Sequence, residues 1–162
     1  MKRLEKDVLE VLKSDARLSA KQVAAAVGAD EQEVKACIDG LEKSGAIVKY
    51  TAIVNGEKTD ETLVEALIEV KVTPTSVEGF DGIAKQIAAF PEVKGVYLMS
   101  GAYDLAVFIE DASLQKVARF VSERISTFSG VISTVTHFIL KKYKLEGVCT
   151  ESEQDRRISI QA

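Results

Sequence analysis

Three segments near the N-terminus repeat their apolar residues at helical spacing. Residues 3–14, 20–27 and 30–44 each place these side chains on one face, with a period close to 3.6 residues. Ser19 followed by Gln22 is a capping-box pattern at the start of the second segment. Three short helices in this order predict a helix-turn-helix, although any small three-helix core would give the same apolar pattern.

The pattern changes from helical to alternating after residue 45. Residues 46–54 are rich in β-branched side chains and predict a strand that leaves the helical unit. The polar, glycine-containing segment 55–61 follows and is the clearest domain boundary in the chain. We therefore assign residues 1–50 to a helix-turn-helix domain and residues 51–62 to a linker strand and loop.

From residue 63 onward, strand-like and helix-like segments follow in the order β-α-β-β-α-β. The strands and helices are predicted, in chain order, over residues 63–72, 80–88, 96–100, 103–110, 113–128 and 131–140. This order is typical of a ferredoxin-like domain, with one antiparallel sheet and both helices on one face. The predicted fold class is α+β: an N-terminal (winged) helix-turn-helix followed by a ferredoxin-like βαββαβ domain over residues 63–144.

The last segment, residues 145–162, shows neither a helical nor an alternating period. Its charged stretch, Glu151–Arg157, indicates a loose C-terminal tail. Within this tail, Ile158–Ile160 has the alternation of a short edge strand.

The predicted sheet has a second face that its own helices leave uncovered. Alternation suggests that this face carries Ile68, Val70, Leu98, Val107 and Val135. An apolar face of this kind needs a cover, and a second copy of the same sheet is the simplest one. The sequence therefore predicts a homodimer through this domain, which could assemble further.

A short polar stretch, Ser100–Asp104, lies between two apolar strands. A glycine beside an aspartate in this position is typical of a hairpin turn, with Gly101 supplying a positive φ. In the simpler interpretation this is an ordinary turn in a buried hairpin. In the alternative, Gly101 leaves bare backbone for a small ligand and Asp104 holds an amine. The residues alone leave both interpretations open.

Composition and charge narrow the functional classes. The net charge of the chain is -4, so no global basic field indicates nucleic acid, and the N-terminal 60 residues carry ten Lys and Arg against eleven Asp and Glu. Cys37, Cys149 and the lone His137 do not match zinc-ligand spacing, and His137 is interpreted as a structural or interface residue. No segment approaches the roughly 20 apolar residues of a membrane-spanning helix, so we expect a cytoplasmic protein with no cofactor and no membrane partner.

The third helix offers few side chains for DNA. Gln32 and Lys35 are its candidate base readers, because Gln can pair with adenine and Lys with guanine. Lys2, Arg3, Lys21 and Lys43 are candidate phosphate contacts. The full predicted DNA-binding set is Lys21, Gln22, Gln32, Lys35, Asp39 and Lys43.

The order and spacing of several motifs resemble the Lrp/AsnC (feast/famine) family of transcription regulators over about residues 3–144. In the N-terminal half the residues that carry the resemblance are Ser14–Ser19, Val27, Gly28, Val34, Ile38, Leu41, Glu42 and Gly45–Ala52. In the C-terminal half they are Val93, Val96, Ser100–Leu105, Val135 and Thr136. The chain departs from the family pattern at Cys37, where the family typically has Arg, and at Gly40, where it often has a basic residue.

The resemblance implies a regulator that is tuned by a ligand. Its recognition helix would enter the major groove of double-stranded DNA, and its C-terminal RAM domain would form dimers and then tetramers or octamers. A small effector, usually an amino acid, would bind between dimers near the Gly-x-Tyr-Asp turn. The effector-binding residues implied by position are Met99, Ser100, Gly101, Tyr103, Asp104, Leu105, Thr134, Val135 and Thr136.

The leading hypothesis is thus a DNA-binding transcription regulator of the Lrp/AsnC type that responds to a small effector. The alternative is an effector- or partner-binding module with weakened DNA binding, which the residues at Cys37 and Gly40 and the charge of the N-terminal half favour. An enzyme is not expected, because one His, no Trp and no nucleophile–base pair leave little for catalysis.

Overall fold

The computed structural model describes residues 1–60, 63–74 and 79–150. The chain divides into two compact units, Met1–Ala52 and Ile53–Ala162. Within the described ranges, none of the helices has both the length and the apolar character needed to cross a membrane.

The first unit consists of three helices around a small apolar core. Helix α1 spans Arg3–Ser14, α2 spans Ala20–Val27 and α3 spans Glu31–Lys43. One face of each helix supplies the buried core residues, which are Val8, Leu12, Val23, Ala24, Val34 and Leu41. The three predicted helices and their inward faces are therefore confirmed.

Local capping sets the ends of α2 and α3. The backbone N–H of Ser19 donates to Gln22 Oε1 (2.9 Å), and the backbone N–H of Gln22 donates to Ser19 Oγ (3.3 Å), which is the predicted capping box. Gly28 ends α2 with a φ of +68°, a left-handed conformation that suits glycine. Asp30 Oδ1 then accepts from the backbone N–H groups of Gln32 and Glu33 and starts α3.

The predicted strand over residues 46–54 is wrong. Ile47 still donates its backbone N–H to Leu41 O (3.0 Å), and Tyr50 Oη donates to Glu42 Oε1 (2.9 Å). Residues 48–54, however, form no strand and are exposed. β-branched composition favours an extended backbone, but a strand also needs a neighbour, and no described segment of this chain pairs with this one.

The second unit is a four-stranded antiparallel sheet with two helices. Its elements are β1 (Val64–Val72), α4 (Asp81–Ala88), β2 (Val93–Leu98), β3 (Leu105–Asp111), α5 (Leu114–Glu123) and β4 (Val131–Phe138). The strand order is β2-β3-β1-β4, and each neighbouring pair is antiparallel. The predicted βαββαβ order and the α+β class are confirmed.

The core of this unit lies between the sheet and the helices α4 and α5. Ile68 and Val107 from the sheet and Ile87, Val117 and Ile125 from the helical side are almost completely buried in it. A fully buried aliphatic side chain of this size contributes about 1.5–3 kcal/mol by leaving water. This packing fixes the positions of the strand ends, where the Ser100–Asp104 loop is attached.

The prediction of which residues lie on the second face of the sheet is partly wrong. Ile68, Val70 and Val107 lie in the core beneath the helices. Leu98 is in register with the buried Leu105, although it is itself exposed at the end of β2. Alternation along one strand shows which residues share a face, but it does not show which of the two faces the helices cover.

The sheet face opposite α4 and α5 has a mixed character. Val135 lies on this face, as predicted, in register with Glu69. The rings of Tyr97 and Phe108 pack edge to face, with centroids 5.7 Å apart. His137 Nε2 lies 3.2 Å from Glu69 Oε1. Aromatic and charged groups therefore share a face that the sequence predicted to be apolar.

The predicted loose tail begins too early. Lys144–Leu145 and Val148–Cys149 form a two-stranded hairpin, β5 and β6. Glu146 and Gly147 both have a positive φ (46° and 82°), as a tight two-residue hairpin turn requires. Residues 151–162, including the predicted edge strand Ile158–Ile160, lie outside the described residues.

Candidate DNA-binding and effector-binding sites

The exposed face of α3 carries most of the predicted DNA-binding residues. Gln32, Lys35, Asp39 and Lys43 are all exposed and follow one another at spacings of three or four residues, which places them along one side of the helix. Within the described ranges, no ion pair involves Lys35, Asp39 or Lys43. Their charged groups are therefore available to a partner.

The two residues of α2 in the predicted DNA-binding set differ in whether the side chain already takes part in a helix cap. Lys21 is exposed at the start of the helix. Gln22 is also exposed, but its Oε1 accepts from the backbone N–H and from Oγ of Ser19, both at 2.9 Å. The capping box already uses this amide oxygen. Gln22 could therefore form a two-point contact with a base only by breaking its hydrogen bonds with Ser19.

The two positions that depart from the family pattern are placed differently on α3. Cys37 is half-buried and packs against the core of the first unit, in agreement with a role as a small hydrophobe. Burial, followed by the nearby Glu5 and Glu33 carboxylates, raises the pKa of its thiol. Gly40 is exposed, and a Cβ built on it would have no heavy atom within 4 Å. Gly40 therefore has room for a longer side chain.

The predicted effector loop joins β2 to β3 and is fastened to β1. Met99 N donates to Asp104 O (2.8 Å) and closes the loop, and Asp104 N donates to Val70 O (3.1 Å). The Asp104 carboxylate accepts from the backbone N–H of Val72 through Oδ2 (2.9 Å). The sequence-based alternatives for Asp104 were a ligand contact and a bond to its own turn, and the structure adds a third role as an anchor on the neighbouring strand.

The structural role predicted for Gly101 is wrong. Its backbone does not adopt a positive φ, so the turn does not require glycine for that reason. It is exposed, and a Cβ at this position would have no heavy atom within 4 Å. Gly101 therefore leaves a stretch of open backbone at the loop.

The other predicted loop residues differ in exposure. Met99 and Ser100 are exposed, and Tyr103 is half-buried. The side chain of Leu105 is completely buried in the core, and its backbone pairs with strands on both sides. Leu105 therefore positions the loop, and its side chain is not accessible to an effector.

The predicted residues on β4 point to two different faces. Thr134 and Thr136 are in register with Val70 and Ile68, whose side chains face the helices, whereas Val135 lies on the opposite face. Thr134 Oγ1 lies 3.3 Å from Oγ of Ser126, which is eight residues earlier in the chain and was not among the predicted site residues.

Asp104 and Thr134 come to the same end of the sheet. Asp104 bonds to Val70 of β1 on one side, and Thr134 is opposite Val70 on the other. The hydroxyls of Thr134 and Ser126 and the open backbone at Gly101 can bind a carboxylate, and the Asp104 carboxylate can bind an ammonium group. This end of the sheet therefore combines the chemistry that an amino acid requires.

Family models match each of the two units. A winged helix-turn-helix DNA-binding model matches residues 1–48, and an Lrp/AsnC ligand-binding domain model matches residues 65–148. The fold and these two matches therefore define a transcription regulator with a DNA-binding domain and a ligand-binding domain.

The curated relatives agree with this class. The HTH-type transcriptional regulator YugG of Bacillus subtilis is 46% identical over 158 residues, which cover 96% of this chain and 95% of that protein. The HTH-type transcriptional regulator FL11 of Pyrococcus furiosus is 28% identical, with 87% of this chain and 90% of that protein covered. The chain belongs to the Lrp/AsnC family of transcriptional regulators.

Solved structures share the fold. The crystal structure of PH0061 has a TM-score of 0.77 at 21% identity and covers 91% of this chain and 98% of that one. The regulator NMB0573 of Neisseria meningitidis, solved as a complex with L-Met, has a TM-score of 0.71 at 20% identity and covers 90% of this chain and 93% of that one.

Proposed function

We propose that the exposed face of α3 binds double-stranded DNA and that an amino acid bound beside the Ser100–Asp104 loop changes this binding. The observation that carries the proposal is that one chain contains both an exposed helix-turn-helix face and a sheet end suited to an amino acid. At this sheet end Asp104 offers a negative charge and Thr134 a hydroxyl. A protein of this kind acts in the cytoplasm, where its DNA lies.

The DNA contact of a single unit is weak. Lys35 and Lys43 supply positive charge on α3, but Glu31, Glu33 and Asp39 add negative charge to the same helix. Neutralising phosphates supplies most of the affinity of a DNA-binding protein, and this helix neutralises few of them. Several weak units joined in one assembly raise the effective concentration at an operator with several sites.

We propose that the assembly is a homodimer that associates into tetramers or octamers. The face of the sheet opposite the helices carries Tyr97 and Val135, which are 57% and 49% exposed, and a second copy of the sheet would cover them. His137 and Glu69 would form a polar contact within such an interface. The effector would then bind between dimers, at the loop end of the sheet.

An amino acid is the effector class that the loop supports best. The Asp104 carboxylate accepts an ammonium group through the oxygen that Val72 does not use, and the hydroxyls of Thr134 and Ser126 donate to a carboxylate. The likeness to the Neisseria regulator solved with L-Met supports the same class.

Gel-shift assays on the upstream region of the gene for this protein test the proposal. At low salt we expect binding that changes when amino acids from a complete panel are added. Lys35→Ala should weaken the complex, whereas Lys85→Ala, on an exposed position of α4, should not. Absence of any shift at low salt, with and without the panel, contradicts the proposal.

The second candidate is an effector- or partner-binding module with weakened DNA binding. Gly40 favours this candidate, because the exposed position on α3 lacks a cation where the space would allow one. A Gly40→Arg variant separates the two functions. A marked gain in DNA affinity would indicate a DNA-binding protein that lacks one contact. No gain would indicate that the protein has lost its DNA-binding function.

A further inference from the structure

Glu69 of β1 lies in the middle of the sheet face that the helices leave uncovered. In the strand register it has Val135 of β4 on one side and Ala106 of β3 on the other. Tyr97 of β2 is the next residue in the same row, opposite Ala106. The Glu69 carboxylate therefore lies in a row of apolar and aromatic residues.

His137 comes from the next row of the same face and contacts Glu69 diagonally. It lies on β4 opposite Leu67, and its Nε2 is 3.2 Å from Glu69 Oε1. The side chain of Glu69 is 30% exposed and that of His137 is 52% exposed. In a single protomer, water can therefore solvate the carboxylate whether or not the imidazole carries a proton.

A second copy of the sheet would remove this water. In the homodimer proposed above, on which this inference rests, that copy covers Val135 and Tyr97, which lie on either side of Glu69. An ionised carboxylate that loses its water needs a positive partner, because burial of an unpaired charge is unfavourable. A symmetric dimer would bury two such carboxylates, one from each copy.

His137 is the group that can supply this positive charge in a pH-dependent way. Lys71, two residues along β1, is exposed and forms no ion pair in the part of the chain that the structure describes. Lysine keeps its charge between about pH 6 and pH 8, so it contributes equally at both values. The other charged residues that face this side of the sheet are already paired, as Glu65 with Lys142 and Glu110 with Lys94.

We propose that the proton is a second effector of this protein, and that protonation of His137 beside Glu69 strengthens the sheet-to-sheet homodimer. A histidine changes its charge between about pH 5 and pH 8. At the upper end of this range the imidazole is neutral, and the interface contains two uncompensated carboxylates. At the lower end each Glu69 has a cationic partner. The dimer binds more protons than the separate protomers, so it is favoured as the pH falls.

The same proton would act on the proposed DNA binding. Each helix-turn-helix unit binds weakly, and joining units in one assembly raises their effective concentration at an operator. A fall in pH that favours the dimer therefore favours the DNA complex. The response needs no change in α3 itself.

The dissociation constant of the full chain at pH 6 and pH 8 tests the proposal. Chains labelled with a donor or an acceptor fluorophore are mixed and diluted, and energy transfer reports the dimer. The chain is used without a histidine tag, because His137 is then its only histidine. The dissociation constant should be about tenfold lower at pH 6 than at pH 8. For a dimer too tight to dilute, exchange of labelled chains should be correspondingly slower at pH 6.

Two variants of the pair should change the dimer at opposite ends of the pH range. His137→Gln keeps a hydrogen-bond donor without a charge, so its dimer should be as weak at pH 6 as at pH 8. Glu69→Gln removes the charge that needs compensation, so its dimer should be tighter at pH 8 than that of the unchanged protein. Glu123→Gln is the matched control, because Glu123 pairs with Arg119 on α5, away from this face. It should keep the full pH dependence.

The outcomes separate this proposal from the proposed dimer. A dimer of equal strength at both pH values overturns the proton response and leaves the dimer standing. A monomer at every concentration and at both pH values overturns the dimer and the proton response together. A pH dependence that persists in His137→Gln overturns the assignment to this residue.

Discussion

The Asp104 carboxylate accepts a hydrogen bond from the backbone N–H of Val72, with Oδ2 2.9 Å from the nitrogen. Val72 is almost completely buried at the end of β1, where its N–H has lost its contact with water. One acidic side chain therefore holds two strands together and lies beside the open backbone of the effector loop. The stability of the sheet and the ligand binding proposed above would then depend on the same carboxylate.

Asp104→Ala should destabilise the protein by about 1–3 kcal/mol, because the buried N–H of Val72 loses its acceptor. Asp104→Asn keeps an oxygen acceptor and should lose much less. Urea unfolding of both variants measures the difference. Equal stability of the Ala variant and the unchanged protein would show that the Val72 contact contributes nothing.

Substitution of Gly130 and of Gly40 by alanine should change the stability of the protein in opposite directions. Gly130 has a φ of +96°, and a Cβ there would lie 3.0 Å from Ile83 Cδ1, so Gly130→Ala should destabilise by about 1–2 kcal/mol or more. Gly40 has open space inside a helix, so Gly40→Ala should stabilise by about 0.5–1 kcal/mol. Thermal unfolding of both variants should show shifts of opposite sign.

The exposed turn after α1 contains a carboxyl group with a perturbed pKa. Hydrogen bonds from the Arg17 side chain and then from its backbone N–H lower the pKa of Asp15 from 3.8 to about 2. Because the folded-state value is depressed, the stabilisation is present above pH 4 and is lost as the pH falls from about 4 to about 2.

Arg17→Ala should therefore raise the pKa of Asp15 towards its ordinary value, measured by NMR titration of the carboxyl carbon. The shift should remain partial, since the backbone N–H of residue 17 still donates to Asp15. Lys13→Ala serves as the control, because Lys13 pairs with Glu10 instead. An unchanged pKa in the Arg17 variant would contradict the assignment of this contact.

Lys35→Ala should reduce affinity for the preferred operator by about 1–3 kcal/mol and for unrelated DNA by much less, as expected for a residue that reads a base. Fluorescence anisotropy at several salt concentrations measures both affinities. An equal loss on both DNAs, together with a smaller salt dependence, would identify Lys35 as a phosphate contact instead.

Elements that depend on neighbouring residues were the most predictable from the sequence. The capping box of Ser19 and Gln22, the end of α2 at Gly28 and the βαββαβ order all follow from local patterns. The small hairpin at Lys144–Cys149 was missed, although its Glu146–Gly147 turn is a local signal between short apolar stretches.

Relationships between distant segments were not predictable. The role of Asp104 depends on the end of β1, which is 32 residues away in the chain. The side chain of Leu105 turns inward because its strand is flanked on both sides. The contact between Glu69 and His137 likewise arises from strand register, which a single strand does not reveal.

The stretch 48–54 is exposed and pairs with no described strand, which makes the chain easy to divide. Lys49 lies in it, outside any helix or strand, and the units on either side have separate cores. Brief treatment with trypsin should cut at this lysine early and release two fragments that each keep their secondary structure. The same stretch would then serve as the boundary at which the ligand-binding domain can be expressed without the helix-turn-helix domain.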